Sequence, residues 1–265
     1  MSAVINISQA CFASMGAVGA LIMFVADLVL YFPTTHSDPH HHHHRGAASY
    51  FATIDPGGAQ LAQSSMQHVS IRRALCGGAM GPVSAVFYNI GFFGLYFGLQ
   101  QQQQQQQQHG DDNDNDNNSY DWVLPATAAI GLSLMMTIAA VYHALFAYTC
   151  FLSKEIAKVQ TPNGAVSSCD SLHNVLRLHQ SYLRYLYKWA VLPGMVGSAA
   201  YVYCCLVRTN TVAAYPPLSV VFVPVLSGPV KKYLKKHNLG GIVICGGLTN
   251  LWNLCFFAVL GLGAR

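Results

Sequence analysis

Five polar side chains interrupt long apolar runs of this sequence and are its candidates for chemistry: Asp27, Asn89, His143, Asn250 and Asn253. A carboxylate and an imidazole can each bind and release a proton, and a carboxylate can also bind a cation. An amide can coordinate an ion through its oxygen or donate a hydrogen bond. The five together predict a polar cluster or path in an apolar environment, with Asp27 as a cation or proton site and His143 as a relay.

A structural interpretation competes with this functional one. Polar residues in membrane helices often hydrogen-bond to neighbouring helices, at about 0.6 kcal/mol per bond on average. For Asn89, Asn250 and Asn253 we favour this structural role, because neutral amides commonly join helices. A charge at the centre of a bilayer costs at least about 2.5 kcal/mol, so Asp27 favours a function. Both interpretations stay open for His143.

The five residues lie in runs that are long enough to cross a membrane. The run from Trp122 to Leu152 carries no charged residue and one histidine. About 20 residues at 1.5 Å per residue cross the hydrocarbon core. Only 9% of the whole chain is charged and 52% is hydrophobic, whereas about 25% of an ordinary soluble domain is charged. The sequence therefore predicts a protein that crosses a lipid bilayer several times.

The predicted fold class is all-α, a bundle of six transmembrane helices in one membrane domain over residues 1–265. The spans are predicted at about 11–32, 74–99, 122–152, 185–207, 212–230 and 239–262. One or two amphipathic helices are predicted at the membrane interface, one over residues 61–75 and one within a loop that runs from 153 to about 181. The five polar residues lie at depths from the inner face to just past the midplane, so spans 1, 2, 3 and 6 are expected to face one another.

Two low-complexity segments connect the predicted spans. Residues 33–60 form a histidine-rich loop containing His40 to His44, and residues 100–121 form a disordered loop rich in Gln, Asp and Asn. Histidine runs are more often tract expansions than metal sites. The aspartates of the second loop begin like a calcium loop but lack its glycine and its final glutamate. The sequence predicts no metal site and no cofactor.

The positions of the basic residues predict the orientation. Of the 14 Lys and Arg residues, all except Arg208 and Arg265 lie in or beside the loops after spans 1, 3 and 5. Because basic loops stay cytoplasmic, both termini are predicted outside or lumenal and the histidine-rich loop cytoplasmic. Asn117 lies in an Asn-Asn-Ser sequon in the outer loop and is a candidate for glycosylation. The basic residues form no stripe with interleaved aromatics, so no nucleic-acid partner is predicted.

Four segments carry a resemblance to a known family: ADLVLYF (26–32), LCGGAMGPVSAVFYNIGFFGLYF (75–97), YHALFAY (142–148) and GGLTNLWNLCFF (246–257). They resemble an uncharacterised family of six-span integral membrane proteins found largely in bacteria. That family has no assigned activity, so the resemblance implies the topology and not a function. The histidine and glutamine tracts depart from the family pattern and look like later insertions.

Several enzyme classes are excluded by counting residues. A two-aspartate membrane protease needs two buried carboxylates, and the predicted spans contain only Asp27. A zinc hydrolase needs three protein ligands, and the predicted spans contain one histidine and one distant carboxylate. A serine hydrolase of the GxSxG type needs a motif that this sequence lacks. We favour a small transporter or channel for an ion or proton, with a structural or accessory membrane protein as the alternative. A lipid-modifying enzyme is the third alternative, but no nucleophile or metal set supports it, so no enzymatic activity is expected.

Overall fold

The computed structural model describes residues 2–31, 69–107, 122–159, 166–205 and 247–263. All regular secondary structure in these ranges is helical, so the predicted all-α class is confirmed for this part of the chain. The helices are α1 (Ser2–Tyr31), α2 (Ile71–Gln107), α3 (Val123–Val159), α4 (Val166–Tyr203) and α5 (Gly247–Gly263).

Three of these helices contain a segment that is long and apolar enough to cross a membrane. The segments are Gln9–Leu30 in α1, Ile71–Gln101 in α2 and Val123–Leu152 in α3, and α5 contains a shorter apolar stretch, Asn250–Gly261. Helix α4 is less apolar because it carries Arg177, Arg184 and Lys188. The described helices therefore fit a membrane protein, and the count of six spans stays a prediction.

Neighbouring helices pack antiparallel in the spatial order α5, α1, α2, α3, α4. Gly91 in the second half of α2 lies against Gly16 in the first half of α1, whereas Gly77 at the start of α2 lies against Leu30 at the end of α1. Glycine at these positions lets the two backbones approach, because a side chain on either would meet its neighbour.

Helices α4 and α5 run in the same direction. The N-terminal end of α5 lies beside the C-terminal end of α1, since Asn250 bonds to Asp27. The ring of Phe256, further along α5, meets the ring of Tyr201 near the end of α4 at a centroid distance of 5.7 Å. Cys205 and Gly247 therefore lie towards opposite ends of the bundle.

Helices α3 and α4 also approach closely, at Gly131 and Gly197. A Cβ atom added to Gly131 would lie 2.6 Å from the carbonyl oxygen of Pro193 and 2.7 Å from Cα of Gly197. The reciprocal Cβ on Gly197 would lie 2.8 Å from the backbone nitrogen of Leu132. These distances are shorter than van der Waals contact, so only glycine fits at both positions.

An aromatic cluster fills the centre of the bundle. The Tyr88 ring stacks on Phe92 at 6.1 Å, and Phe257 contacts both rings at 5.9 and 5.3 Å. Tyr88, Phe256 and Phe257 are each no more than 2% exposed. Rings at these separations add about 0.5–1.5 kcal/mol per pair to the burial of their surface. The cluster fastens α5 to α1 and α2 next to the polar candidates.

The helices extend further than the predicted spans at several ends. Helix α1 begins at Ser2, nine residues before the predicted span at residue 11. Helix α2 continues to Gln107, into the segment 100–121 that was predicted to be a disordered loop. Glutamine is a good helix former, and no glycine or proline occurs between residues 100 and 107. The glutamine tract therefore extends the apolar helix that precedes it.

The segment after the third span also differs from its prediction. The predicted loop 153–181 is helical at both ends, because α3 continues to Val159 and α4 begins at Val166. The predicted interfacial helix and the span at 185–207 form one continuous helix, α4. No glycine or proline occurs between Val166 and Lys188 to separate them, and the helical spacing of apolar residues continues across the predicted boundary.

Several predicted features fall outside the described residues. They are the histidine-rich loop 33–60, most of the interfacial segment 61–75, residues 108–121 with the Asn117 sequon, the proline-rich span 212–230, and the start of the span 239–262.

Candidate functional site

The buried carboxylate of Asp27 is the centre of the candidate site. Asp27 lies one turn before the end of α1 and is 3% exposed. It shares one face of the helix with Ala20, Met23 and Leu30, all of them buried. Residues spaced by three or four positions line one side of a helix, so the stripe that buries these apolar side chains also buries the carboxylate.

His143 of α3 contacts this carboxylate directly. Its Nε2 atom lies 3.1 Å from Oδ1 of Asp27, and the two side chains are 6% and 4% exposed. Gly81 of α2 provides room for the imidazole, because a Cβ at that position would lie 2.9 Å from Cβ and 3.2 Å from Nδ1 of His143. The pair is therefore enclosed by α1, α2 and α3.

The other carboxylate oxygen accepts a hydrogen bond from α5. Nδ2 of Asn250 donates to Oδ2 of Asp27 at 2.8 Å, and Oδ1 of Asn250 accepts a hydrogen bond from the hydroxyl of Tyr88 at 3.0 Å. Nδ2 of Asn253, one turn further along α5, donates to the same hydroxyl oxygen at 3.3 Å. We call Asp27, Tyr88, His143, Asn250 and Asn253 together the polar network.

Four of the five predicted site residues lie in the polar network, and Asn89 does not. Asn89 is half-buried on a different face of α2, where its Nδ2 donates to Oγ1 of Thr137 at 3.2 Å. Its Oδ1 atom is buried and has no hydrogen-bond partner among the described residues. Successive residues on a helix point about 100° apart, so the neighbour Tyr88 faces the network and Asn89 faces α3.

Tyr88 belongs to the polar network and was not predicted from the sequence. Its side chain is fully buried, and its hydroxyl both donates to and accepts from asparagines of α5. The signal in the sequence is the spacing: Gly81, Ser84 and Tyr88 lie at helical intervals on one face of α2. A buried tyrosine needs a partner for its hydroxyl, so that face is where a polar partner would be expected.

All five residues of the polar network fall within one family match. A family profile matches residues 6–263, nearly the whole chain. The chain belongs to a family of unknown function, DUF6796. No curated protein and no solved structure matches it. The predicted resemblance to an uncharacterised family is confirmed to this extent, whereas its bacterial distribution and six-span topology stay predictions.

The site of this family member is chemically suited to protons. Among the described residues no group of three or more His, Cys, Asp or Glu side chains could hold a metal ion. Both oxygens of the Asp27 carboxylate already have partners, one an imidazole nitrogen and the other an amide N–H. A carboxylate paired with an imidazole can gain or lose a proton without any change in coordination.

A second histidine, His179, is half-buried at the contact between α3 and α4. Nε2 of His179 lies 2.9 Å from the carbonyl oxygen of Leu145 and 3.2 Å from Oγ1 of Thr149. A carbonyl oxygen only accepts hydrogen bonds, so Nε2 carries the hydrogen. Burial lowers the pKa of His179 below its ordinary value of 6.5, and the bond to Leu145 partly opposes that shift. This histidine joins two helices and has no described contact with the polar network.

Proposed function

We propose that this chain is a small membrane transporter in which the pair of Asp27 and His143 binds and releases a proton. The observation that supports this proposal is the 3.1 Å contact between the carboxylate and the imidazole, both of them buried between apolar helices. An isolated charge in such surroundings is very costly. A net-neutral pair avoids most of that cost, and it changes its charge whenever a proton enters or leaves.

A proton is a better candidate than a metal cation for this site. A Ca²⁺ ion takes six to eight oxygen ligands and a Mg²⁺ ion about six in octahedral geometry. The polar network offers one carboxylate, two amides and one phenol, and its hydrogen bonds already occupy both carboxylate oxygens. A cation would have to break these bonds, whereas a proton fits between groups that are already in contact.

The test is a proton flux measurement on the full chain in liposomes. Purified protein is reconstituted with an entrapped pH-sensitive dye, and a potassium diffusion potential drives proton movement. We expect the wild type to change the internal pH, and Asp27→Asn to reduce the flux to the level of protein-free liposomes. His143→Gln should also reduce the flux, because the glutamine keeps a polar group but cannot titrate.

The matched control is Asn89→Ala, since Asn89 is a polar residue of the same helices that lies outside the polar network. This variant should retain the wild-type flux. A wild-type protein that moves no protons under any gradient overturns the proposal. A flux that Asp27→Asn leaves unchanged overturns the assignment of the site.

We further propose the six-span topology with both termini outside or lumenal. The common direction of α4 and α5 supports it, because two consecutive helices of the same direction need one more crossing between them. The asymmetric placement of the basic residues supports the same arrangement.

A structural or accessory role is the second candidate, and one observation favours it. The polar network ties α1, α2, α3 and α5 together through hydrogen bonds between buried side chains, as membrane helices do when polar residues act only to hold a bundle. That role predicts a stable protein partner in a mild-detergent purification and no proton flux. We propose no enzymatic activity, because within the described helices no nucleophile or metal-binding group of side chains accompanies the network.

A further inference from the structure

The hydrogen bonds of the polar network have one direction. Asn253 donates to Tyr88, Tyr88 donates to Asn250, and Asn250 donates to Asp27. The carboxylate at the end of this series only accepts. All four side chains are no more than 6% exposed, so bulk solvent does not compete for these bonds. The direction of the series therefore depends on the group at its end, Asp27.

The same heavy atoms can form the series in the opposite direction. A side-chain amide carries an acceptor and a donor at nearly the same positions, and a phenol hydroxyl can rotate about its C–O bond. When Oδ2 of Asp27 binds a proton, it becomes an O–H donor to Asn250. A flipped Asn250 amide then donates to the Tyr88 oxygen, and the Tyr88 hydroxyl donates to a flipped Asn253.

We infer that Tyr88, Asn250 and Asn253 form a reversible hydrogen-bond chain that transmits the protonation of Asp27 to α5. The inference rests on the proposed proton site at Asp27. The covalent change is one proton that binds to a carboxylate oxygen, and no electron moves. Two amides and one hydroxyl rotate, and no backbone needs to shift. Each of the three bonds between these side chains is kept in both states.

The groups around Asp27 agree with this two-state chain. His143 faces the carboxylate from α3, Asn250 faces it from α5, and Tyr88 follows in the series from α2. Arg73 of α2 contacts α1 two residues further along than Asp27, where its Nε donates to the carbonyl oxygen of Val29 at 2.9 Å. Nε2 of His143 lies against Oδ1 of Asp27, and the hydrogen-bond chain begins at Oδ2, which accepts from Asn250.

The packing of the aromatic cluster explains why side chains, and not the backbone of α5, respond to protonation of Asp27. Phe257 of α5 packs on Gly16 and Gly91, where an added Cβ would lie 2.4 and 2.7 Å from its ring. This close contact fixes the backbone of α5 beside α1 and α2. Protonation of Asp27 therefore reverses the hydrogen bonds that Asn250 and Asn253 of α5 make. The effect reaches Asn253, one turn beyond Asn250 along α5.

Infrared difference spectroscopy on the full chain in detergent tests the inference. The sample carries isotope-labelled asparagine and is compared above and below the titration of Asp27. We expect the carboxyl band of Asp27 and the amide bands of Asn250 and Asn253 to change with the same midpoint. In Tyr88→Phe the carboxyl band should still titrate while the Asn253 band stays fixed, because the relay is cut between the asparagines.

Asn253→Leu provides a second variant, in which the series ends at Tyr88. The Asp27, Asn250 and Tyr88 bands should still change together, because the flipped Asn250 amide takes away the acceptor of the Tyr88 hydroxyl. Asn89→Ala is the control and should behave as wild type. Amide bands that do not change in the wild type overturn the inference. An Asn253 band that still changes in Tyr88→Phe overturns it as well. If the hydrogen-bond chain responds but the protein shows no proton flux, the transport proposal alone is overturned. If the protein shows a flux but no amide response, this inference alone is overturned.

Discussion

Arg73 at the start of α2 donates a hydrogen bond from Nε to the carbonyl oxygen of Val29 near the end of α1, at 2.9 Å. In a continuing helix that carbonyl would accept from the backbone N–H of residue 33, but residue 33 is proline and has no N–H. The guanidinium therefore replaces a missing donor, and its charge lies at the negative end of the helix dipole.

Arg73→Ala should destabilise the protein, by about 1.5 kcal/mol, because a part-buried carbonyl loses a charged donor. Chemical unfolding of the purified protein in detergent measures the effect. The informative control is Pro33→Ala, which restores an N–H at residue 33. The loss from Arg73→Ala should be smaller in the Pro33→Ala background, and equal losses in the two backgrounds would contradict this role.

The contact between α3 and α4 predicts contrasting effects of two glycine substitutions. Gly131→Ala forces a Cβ to within 2.7 Å of the Gly197 backbone and should cost about 1–3 kcal/mol of stability. Gly261→Ala places its Cβ 3.5 Å from Ala13, an ordinary contact, and should be neutral or stabilise by up to about 1 kcal/mol. Unfolding midpoints of the two variants check the prediction. Equal midpoints would show that the close approach is not required.

His179 predicts a pH dependence of stability. Its folded-state pKa is lowered from 6.5 by burial, so below pH 6.5 the unfolded chain binds a proton that the folded chain resists. Stability should fall as the pH drops through 6.5 and continue to fall towards the lowered folded-state pKa. Unfolding midpoints of His179→Gln, which keeps an N–H donor, should depend less on pH in that range. A variant curve as steep as the wild-type curve would refute the assignment.

The common direction of α4 and α5 predicts that residues 208 and 236 lie on opposite sides of the membrane. An epitope inserted after Arg208 should be accessible in intact cells, and one inserted after Lys236 only after permeabilisation. An epitope after Arg265 is the control and should match the first. Equal accessibility of the two inserted epitopes would contradict the six-span topology.

Much of the site could be predicted from polar residues inside apolar runs, because such residues are costly there. Their predicted depths run from near the inner face to just past the midplane, and the helix contacts bring Asp27, His143 and the α5 asparagines together. Depth alone does not determine the face of a helix, so Asn89 was grouped with a network that it does not join. Tyr88 was missed because aromatic residues are common in apolar spans and do not stand out.

The ends of the helices were harder to predict than their existence. Polar composition after residue 100 suggested a loop, but α2 continues to Gln107 because glutamine does not disfavour helix. The basic residues of α4 suggested a separate surface helix, although no glycine or proline before Pro193 could end it. Polar composition indicates where a helix leaves the hydrophobic part of the membrane. Only helix-breaking residues such as proline, and capping residues such as glycine, indicate where the helix itself ends.

The most direct test of the account is the thermal stability of the purified full chain from about pH 4 to about pH 9, for the wild type, Asp27→Asn and the control Asn89→Ala. A buried group that titrates makes stability depend on pH, and the amide removes that dependence. We expect the Asp27→Asn curve to differ in shape from the wild-type curve, and the Asn89→Ala curve to run parallel to it. Three parallel curves would mean that Asp27 does not exchange a proton in this range, and the proposed proton site would be wrong.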